Sequence, residues 1–309
     1  MSKKKIILHI GLYKTGSTFI QNHLKIIKNK NIKVFITEDQ LSNSINNYLK
    51  EPKKVFKEKI LNTIKDITEN TIVISNEGFF GHPSNGFKDV EMRFKLLEDL
   101  FENPLYIIFF REPSSIIYSS FFQGLQKNNN LKFENYYNKD VSQLHNQIRS
   151  FKQCTNFKVF DYNKIFDIYL NIQERVLFVE YEKFFKNLEV EKLCKFLGFN
   201  VKFNFNQKAN ISLKNLVYLE FYNNFYLFKL IKVLWINFNK FFTKYKRARS
   251  VSLKVSNLIN YLNKIIPKKY YEGIDKKHEK ILNEIKTYHS KNCNNFKKKL
   301  KSNLNIYYN

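Results

Sequence analysis

The sequence predicts an α/β fold: a parallel sheet of about five strands with helices on both faces, followed by a helical C-terminal part. Three observations carry this expectation. Five short runs, IILHI at 6–10, IKVFI at 32–36, TIVIS at 71–75, LYIIFF at 105–110 and VLFVE at 176–180, are dominated by apolar residues without the regular polar alternation of a half-exposed strand. Such runs mark strands buried on both faces. Segments with helical spacing lie between them, and the first run leads directly into a glycine-bearing turn and then an amphipathic stretch, so the chain begins strand, tight loop, helix.

The turn after the first strand reads Gly11-Leu12-Tyr13-Lys14-Thr15-Gly16-Ser17-Thr18, and Phe19 to Leu24 continue as an amphipathic helix. At such a junction the first helical N–H groups lack intrahelical partners and the helix dipole is positive, so the loop can cradle a phosphate. A Walker A loop would place lysine directly after the second glycine; here position 17 is Ser and the lysine is Lys14. This displacement, with no acidic strand end suited to magnesium, argues against ATP or GTP hydrolysis.

Next come crossover helices. Val55, Phe56, Ile60, Ile64 and Ile67 recur at helical spacing, as do Met92, Leu96, Leu97, Leu100 and Phe101. The strand at 71–75 ends in Asn76-Glu77-Gly78, which puts Glu77 at the same carboxyl edge as Lys14. The strand at 105–110 ends in Arg111-Glu112-Pro113, and Ser114 to Phe121 read as a helix with proline in its first turn and Ser119 two turns along. Ligands of open α/β sheets bind at the carboxyl edge, where the Arg111 fork suits a phosphate; a structural pair with Glu112 or another carboxylate is the alternative. Strand signals stop after about residue 213. The expected organisation is one domain over 1–309, with an α/β nucleotide-binding core in 1–212 and a basic, aromatic-rich helical elaboration in 213–309.

Composition sets outer bounds. With 31 Phe and 19 Tyr in 309 residues the chain has ample material for a core, which excludes a disordered chain. Cys154, Cys194 and Cys293 are widely spaced and show no metal-ligand pattern, so neither a disulfide framework nor a zinc site is expected. The apolar run at 6–10 is too short for a signal peptide, and the stretch 226–242 is broken by Lys229, Lys232 and Lys240. A cytoplasmic protein is expected. The 53 basic against 27 acidic residues give a net charge of +26, and from Lys240 onward 18 basic residues face four acids. That charge favours polyanions, phosphorylated ligands or the anionic inner face of a membrane, although a solvated helix face explains it equally. No nucleic-acid module is recognisable, so nucleic acid is not an expected partner.

The segment His9 to Gln21, centred on Lys14-Thr15-Gly16-Ser17-Thr18, resembles the 5′-phosphosulfate loop of sulfotransferases that use 3′-phosphoadenosine 5′-phosphosulfate (PAPS). Arg111-x-Pro113 with Ser119 resembles their 3′-phosphate motif. Leu177 to Phe184 and Leu193 to Phe199 resemble the family's Tyr-Glu strand and Phe-Leu-Gly helix end, Lys208-Ala-Asn210-Ile-Ser212 a segment near the nucleotide in bacterial members, and Tyr288 to Tyr308 their closing helix.

The resemblance, to the bacterial carbohydrate type, implies a P-loop-like sulfotransferase fold with PAPS as donor, PAP as product and no metal. It implies nucleotide contacts from Gly11, Lys14, Thr15, Gly16, Ser17, Thr18, Arg111, Ser119, Tyr181, Lys208, Asn210 and Ser212, with Lys14 also steadying the leaving oxygen. Sulfuryl transfer to an alcohol needs in-line attack and a base beside the loop. A glutamate takes this role in carbohydrate sulfotransferases and a histidine in other branches, which makes Glu77 the expected base and His82 the alternative. The expected acceptor is a hydroxyl of a glycan or glycolipid. Competing readings are a non-catalytic protein that binds polyanions or anionic membranes on the same fold, and a P-loop kinase. His9 is read as a core histidine, and no chemistry is assigned to His145, His278 or His289.

Overall fold

The computed structural model describes residues 4–27, 29–81, 87–127, 133, 160–205 and 269–304. Five strands form, each at the expected place: β1 (Lys5–Gly11), β2 (Ile32–Ile36), β3 (Thr71–Ser75), β4 (Leu105–Phe110) and β5 (Val176–Glu180). All pair in parallel in the order β2-β3-β1-β4-β5, with Leu8 opposite both Ile74 and Tyr106, and Phe109 opposite Val179. Their apolar runs follow from this, because a strand covered by helices on both faces has no solvent side on which to place polar residues. Ile7, Leu8, Val73, Ile74 and Ile108 are wholly buried, each stabilising the fold by roughly 2 kcal/mol.

Among the described residues the helices are α1 (Ser17–Lys25), α2 (Gln40–Lys50), α3 (Lys54–Asp66), α4 (Val90–Leu100), α5 (Pro113–Lys127), the single turns α6 (Tyr162–Ile165), α7 (Asp167–Leu170) and α8 (Tyr181–Phe184), then α9 (Val190–Leu197) and α10 (Lys269–Leu304). α3 and α4 match the expected crossover helices, and α10 begins well before the expected closing helix. The sequence reading did not single out α2. Its QLSNSINNYLK is rich in poor helix formers, yet it buries Leu41, Ile45, Tyr48 and Leu49 along one stripe.

Two compact units divide the chain: residues 1–116, 157–209 and 286–309 form the first, and 117–156 with 210–285 the second. The sheet belongs to the first unit. On one face Ile7, Val73, Ile107 and Val179 pack with Phe19 and Leu24 of α1, Phe184 of α8 and Leu193 and Leu197 of α9. On the other, Phe296 of α10 meets Phe110 and Phe178 at ring distances of 5.2 and 5.5 Å, and Tyr169 of α7 meets Tyr106 at 5.3 Å. The amino edge of β4 and β5 is closed by Arg175. Its two terminal nitrogens each lie 2.9 Å from an oxygen of Glu98, which also accepts from the Tyr106 hydroxyl at 2.7 Å.

In the second unit, Tyr118 and Phe121 gather with Phe133 and His278. The His278 Nδ1 lies 3.2 Å from the Tyr118 hydroxyl, and its ring meets that of Phe133 edge-on at 5.0 Å. His278 is thus a satisfied core histidine. Among the described residues, no helix is long and apolar enough to cross a membrane, and no three potential metal ligands cluster.

Candidate functional site

The sheet order fixes where a ligand would bind. The connection from β1 leads one way, to β2, while that from β4 leads the other way, to β5. The crevice between the carboxyl ends of β1 and β4 is therefore the topological switch point, the usual ligand position in open α/β sheets. Lys14 follows β1 there and Arg111 follows β4. They meet: Arg111 Nη1 donates to the Lys14 carbonyl at 3.1 Å.

The β1–α1 loop is shaped by two glycines with different tasks. Gly11 has φ +142°, and a Cβ there would lie 2.9 Å from the Phe109 carbonyl oxygen of β4. Gly16 is left-handed (φ +81°) at the N-cap of α1, and a Cβ would meet the rings of Phe185 and Tyr181 at 3.0 and 3.1 Å. Lys14 also has positive φ, at 65°. Thr15, buried, turns its hydroxyl inward to donate to the Leu12 carbonyl at 2.5 Å. It braces the loop with its side chain, and only its backbone remains as a ligand contact. Thr18 is exposed. α1 starts with no side-chain cap and no acid in its first turn, so its N-terminal dipole is not offset by local negative charge from its own sequence.

Ser17, at the first helical position, donates instead to Glu77 Oε2. Asn76 positions that glutamate. Its side chain accepts from Gly78 N at 2.8 Å and donates to Ser42 Oγ at 2.8 Å, while its N–H donates to the His9 carbonyl at 2.9 Å. Arg93 Nη1 ties down the Gly78 carbonyl at 2.8 Å. Burial raises the Glu77 pKa above the ordinary glutamate value, against the opposing pull of the Ser17 hydroxyl and the Lys14 charge. Tyr13, beside it, is pushed up to about 12, first by burial and then by Glu77. His9 sits under the loop in the core, with Nδ1 at 2.6 Å from Ser75 Oγ and its pKa lowered to about 4 by burial.

Among the described residues Arg111 meets three further groups. Its guanidinium stacks 4.2 Å above the Tyr181 ring, its Nε reaches Glu182 Oε1 at 3.4 Å, and its carbonyl accepts from the Tyr162 hydroxyl. Among the described residues the carboxylate it meets is Glu182, not the neighbouring Glu112.

One unit therefore brings together Gly11, Lys14, Thr15, Gly16, Ser17, Thr18, Glu77, Arg111 and Tyr181. Ser119 belongs to the second unit, and His82, Lys208, Asn210 and Ser212 lie outside the described residues. Sequence reasoning missed Glu182, Asn76 and Arg93. For Asn76 the signal was present, since asparagine two residues before glycine is a turn-capping pattern.

No protein-family model matches the chain, and no curated protein matches it. Among solved structures it is similar to a sulfotransferase from Alicyclobacillus acidocaldarius, at 13% identity over 71% of this chain and 92% of that one, with TM-score 0.46. It is similar also to the sulfotransferase domain from the curacin biosynthetic pathway, at 14% identity over 69% and 80% of the two chains and TM-score 0.40. A third is mouse sulfotransferase SULT7A1 complexed with PAP, at 15% identity over 72% and 65% and TM-score 0.37.

Proposed function

We propose that this protein is a PAPS-dependent sulfotransferase that transfers the sulfuryl group to a hydroxyl of a glycan or glycolipid. One observation carries the reading: at the β1/β4 switch point the loop holding Lys14 leads into a helix start without a side-chain cap, with Glu77 bonded to Ser17 and Arg111 bonded to the Lys14 carbonyl. A cationic loop with an adjacent carboxylate is what sulfuryl transfer requires. The acceptor oxygen attacks sulfur in line, its proton passes to Glu77, and the bond from sulfur to the 5′-phosphate oxygen breaks with its electron pair left on that oxygen. Lys14 and the first N–H groups of α1 receive this charge.

The Ser17 hydroxyl has two roles in this scheme. It holds the Glu77 carboxylate before the nucleotide arrives, and it then turns to the 5′-phosphate, which releases Glu77 toward the acceptor. Arg111 takes the 3′-phosphate against the Tyr181 ring, and Ser119, Lys208, Asn210 and Ser212 join the nucleotide as the sequence resemblance implies. His82 is the alternative base.

The test is calorimetric titration with adenosine 3′,5′-bisphosphate, alongside adenosine 5′-phosphate and ATP with magnesium. The expected result is a clear preference for the bisphosphate that disappears in Arg111→Ala. Equal affinity for the 5′-phosphate alone sinks the reading, and magnesium-dependent preference for ATP replaces it with a kinase. A bisphosphate binder that transfers no sulfuryl group to any carbohydrate acceptor is the non-catalytic protein.

A further inference from the structure

Two oxygens of the first unit lie on the Arg111 guanidinium. Nη1 donates to the Lys14 carbonyl at 3.1 Å, and Nε lies 3.4 Å from Glu182 Oε1. A guanidinium takes an oxyanion through paired N–H bonds, either along its edge from Nε and Nη2 or at its end from Nη1 and Nη2. Each pair therefore includes one nitrogen that is already engaged: Glu182 stands on the edge and the Lys14 carbonyl at the end. A phosphate that takes Arg111 by either fork has to share or displace one of these oxygens.

The two oxygens are held with different firmness. The Lys14 carbonyl is main chain of the β1–α1 loop, where Lys14 has φ 65° and the Thr15 hydroxyl is bonded to the Leu12 carbonyl, so it moves only with the loop. Glu182 is a side chain on rotatable bonds, and 38% of it is exposed against 15% of Arg111. It can turn to water and stay hydrated. The cations beside it do not hold it in place, since Lys183 goes to Glu180 at 2.7 Å and Lys297 to the same carboxylate at 2.5 Å. Of the two oxygens on Arg111, the carboxylate is the one that yields.

A phosphate carries more charge and more acceptor oxygens than a carboxylate, so it displaces Glu182, yet it binds more weakly than it would to an arginine without that partner. Sulfuryl transfer leaves the 3′-phosphate unchanged, so Arg111 holds the product nucleotide as firmly as the donor. Binding of this uniform kind gives nothing to the chemical step and delays release. We infer that Glu182 competes with the 3′-phosphate of the nucleotide for Arg111 and, by taking the guanidinium back, speeds departure of the product bisphosphate. The inference rests on the proposed role of Arg111 as the 3′-phosphate ligand.

The test is calorimetric titration of Glu182→Gln and Glu182→Ala with adenosine 3′,5′-bisphosphate and adenosine 5′-phosphate, beside the parent and Arg111→Ala. Both Glu182 variants should bind the bisphosphate about fivefold to tenfold more tightly than the parent, and the 5′-phosphate within about twofold of it. Release of a fluorescently labelled bisphosphate, chased with unlabelled ligand in a stopped-flow instrument, should slow by a similar factor. In the Arg111→Ala background the gain from Glu182→Gln should shrink below about twofold, since nothing is left to compete for. Weaker or unchanged bisphosphate binding in Glu182→Gln overturns the inference and makes Glu182 a brace that orients Arg111. Tightening by Gln but not by Ala overturns it as well, because it reflects a new amide contact, and so does a gain that persists without Arg111 or that the 5′-phosphate shares, which reflects the general field of a removed charge. A parent protein with no preference for the bisphosphate removes the role of Arg111 and this inference together. A preference that Arg111→Ala abolishes and Glu182→Gln leaves unimproved overturns the competition alone.

Discussion

Two arginines bracket the β4–β5 pair at opposite edges of the sheet, and they are held differently. At the amino edge Arg175 clamps Glu98 with both terminal nitrogens at 2.9 Å. At the carboxyl edge Arg111 meets Glu182 through one nitrogen at 3.4 Å, leans on the Tyr181 ring and bonds a loop carbonyl. Both arginines are mostly buried, with 17% and 15% of their side chains exposed. The difference is in partner geometry: one carboxylate engages both terminal nitrogens of Arg175, while Arg111 meets a ring face, a loop carbonyl and one carboxylate oxygen at longer range. Arg175 closes the fold, and in the proposed function Arg111 takes an anion. Substitutions at the carboxyl edge should therefore change binding and rate, and those at the amino edge should change stability.

The largest expected effect tests the carboxyl edge directly. Glu77→Gln should lower sulfuryl transfer from radiolabelled PAPS to carbohydrate acceptors by about a thousandfold, within the range for loss of a general base. Bisphosphate affinity and melting temperature should stay near the parent values. A loss of less than about tenfold would move the base to another residue, His82 first. The raised pKa adds a signature: the rate should fall with acidification through a value above the ordinary glutamate range.

Beneath that loop, His9 makes the floor of the site acid-sensitive. Its folded pKa is about 4 against 6.5 unfolded, so between these values the unfolded chain binds the extra proton and stability rises with pH. Acidification from pH 6.5 toward 4 should therefore cost about 3 kcal/mol, at about 1.4 kcal/mol per pH unit. Glu77 works in the opposite sense, since its raised folded pKa stabilises the fold on the acid side. Urea midpoints across this range should decline in the parent and much less in His9→Gln. Equal declines would place the acid sensitivity elsewhere.

Arg111→Ala follows, with a loss of bisphosphate affinity of about a hundredfold, in keeping with one desolvated phosphate contact, and little change in melting temperature. A destabilised variant with intact affinity would make Arg111 a second Arg175 and erase the contrast between the edges.

The sheet was legible because burial on both faces forces apolar runs such as TIVIS and LYIIFF, a one-dimensional signal. The β1–α1 loop was legible for a related reason, since glycine at 11 and 16 answers local requirements: positive φ and the closeness of Phe109, Tyr181 and Phe185. The partners of Arg111 were not. Glu112 is its neighbour in sequence, yet adjacent side chains diverge, and the carboxylate that reaches it is Glu182, 71 positions away. The Ser17–Glu77 contact spans 60 positions and depends on β1 and β3 lying side by side. α2 stayed hidden because its Asn and Ser residues mask a stripe that tertiary burial supports. Local geometry is written in the sequence at the residue concerned, whereas a pair contact appears only once the strand order is known.

The smallest expected effect comes from the amino edge. Arg175→Ala removes both bonds to Glu98 and leaves that carboxylate, 24% exposed, with the Tyr106 hydroxyl. Hydrogen bonds to charged groups contribute about 1.5–3 kcal/mol, and the partial exposure of Glu98 lets water replace some of that, so the expected loss is about 2 kcal/mol. For a chain of 309 residues this corresponds to a fall in melting temperature of about 3 °C, read by differential scanning fluorimetry. Bisphosphate affinity should be unchanged, because Arg175 precedes β5 while the site follows β1 and β4. Loss of affinity at constant stability would contradict the division between edges, and an effect on both would mean that the β4–β5 pair transmits strain along its length.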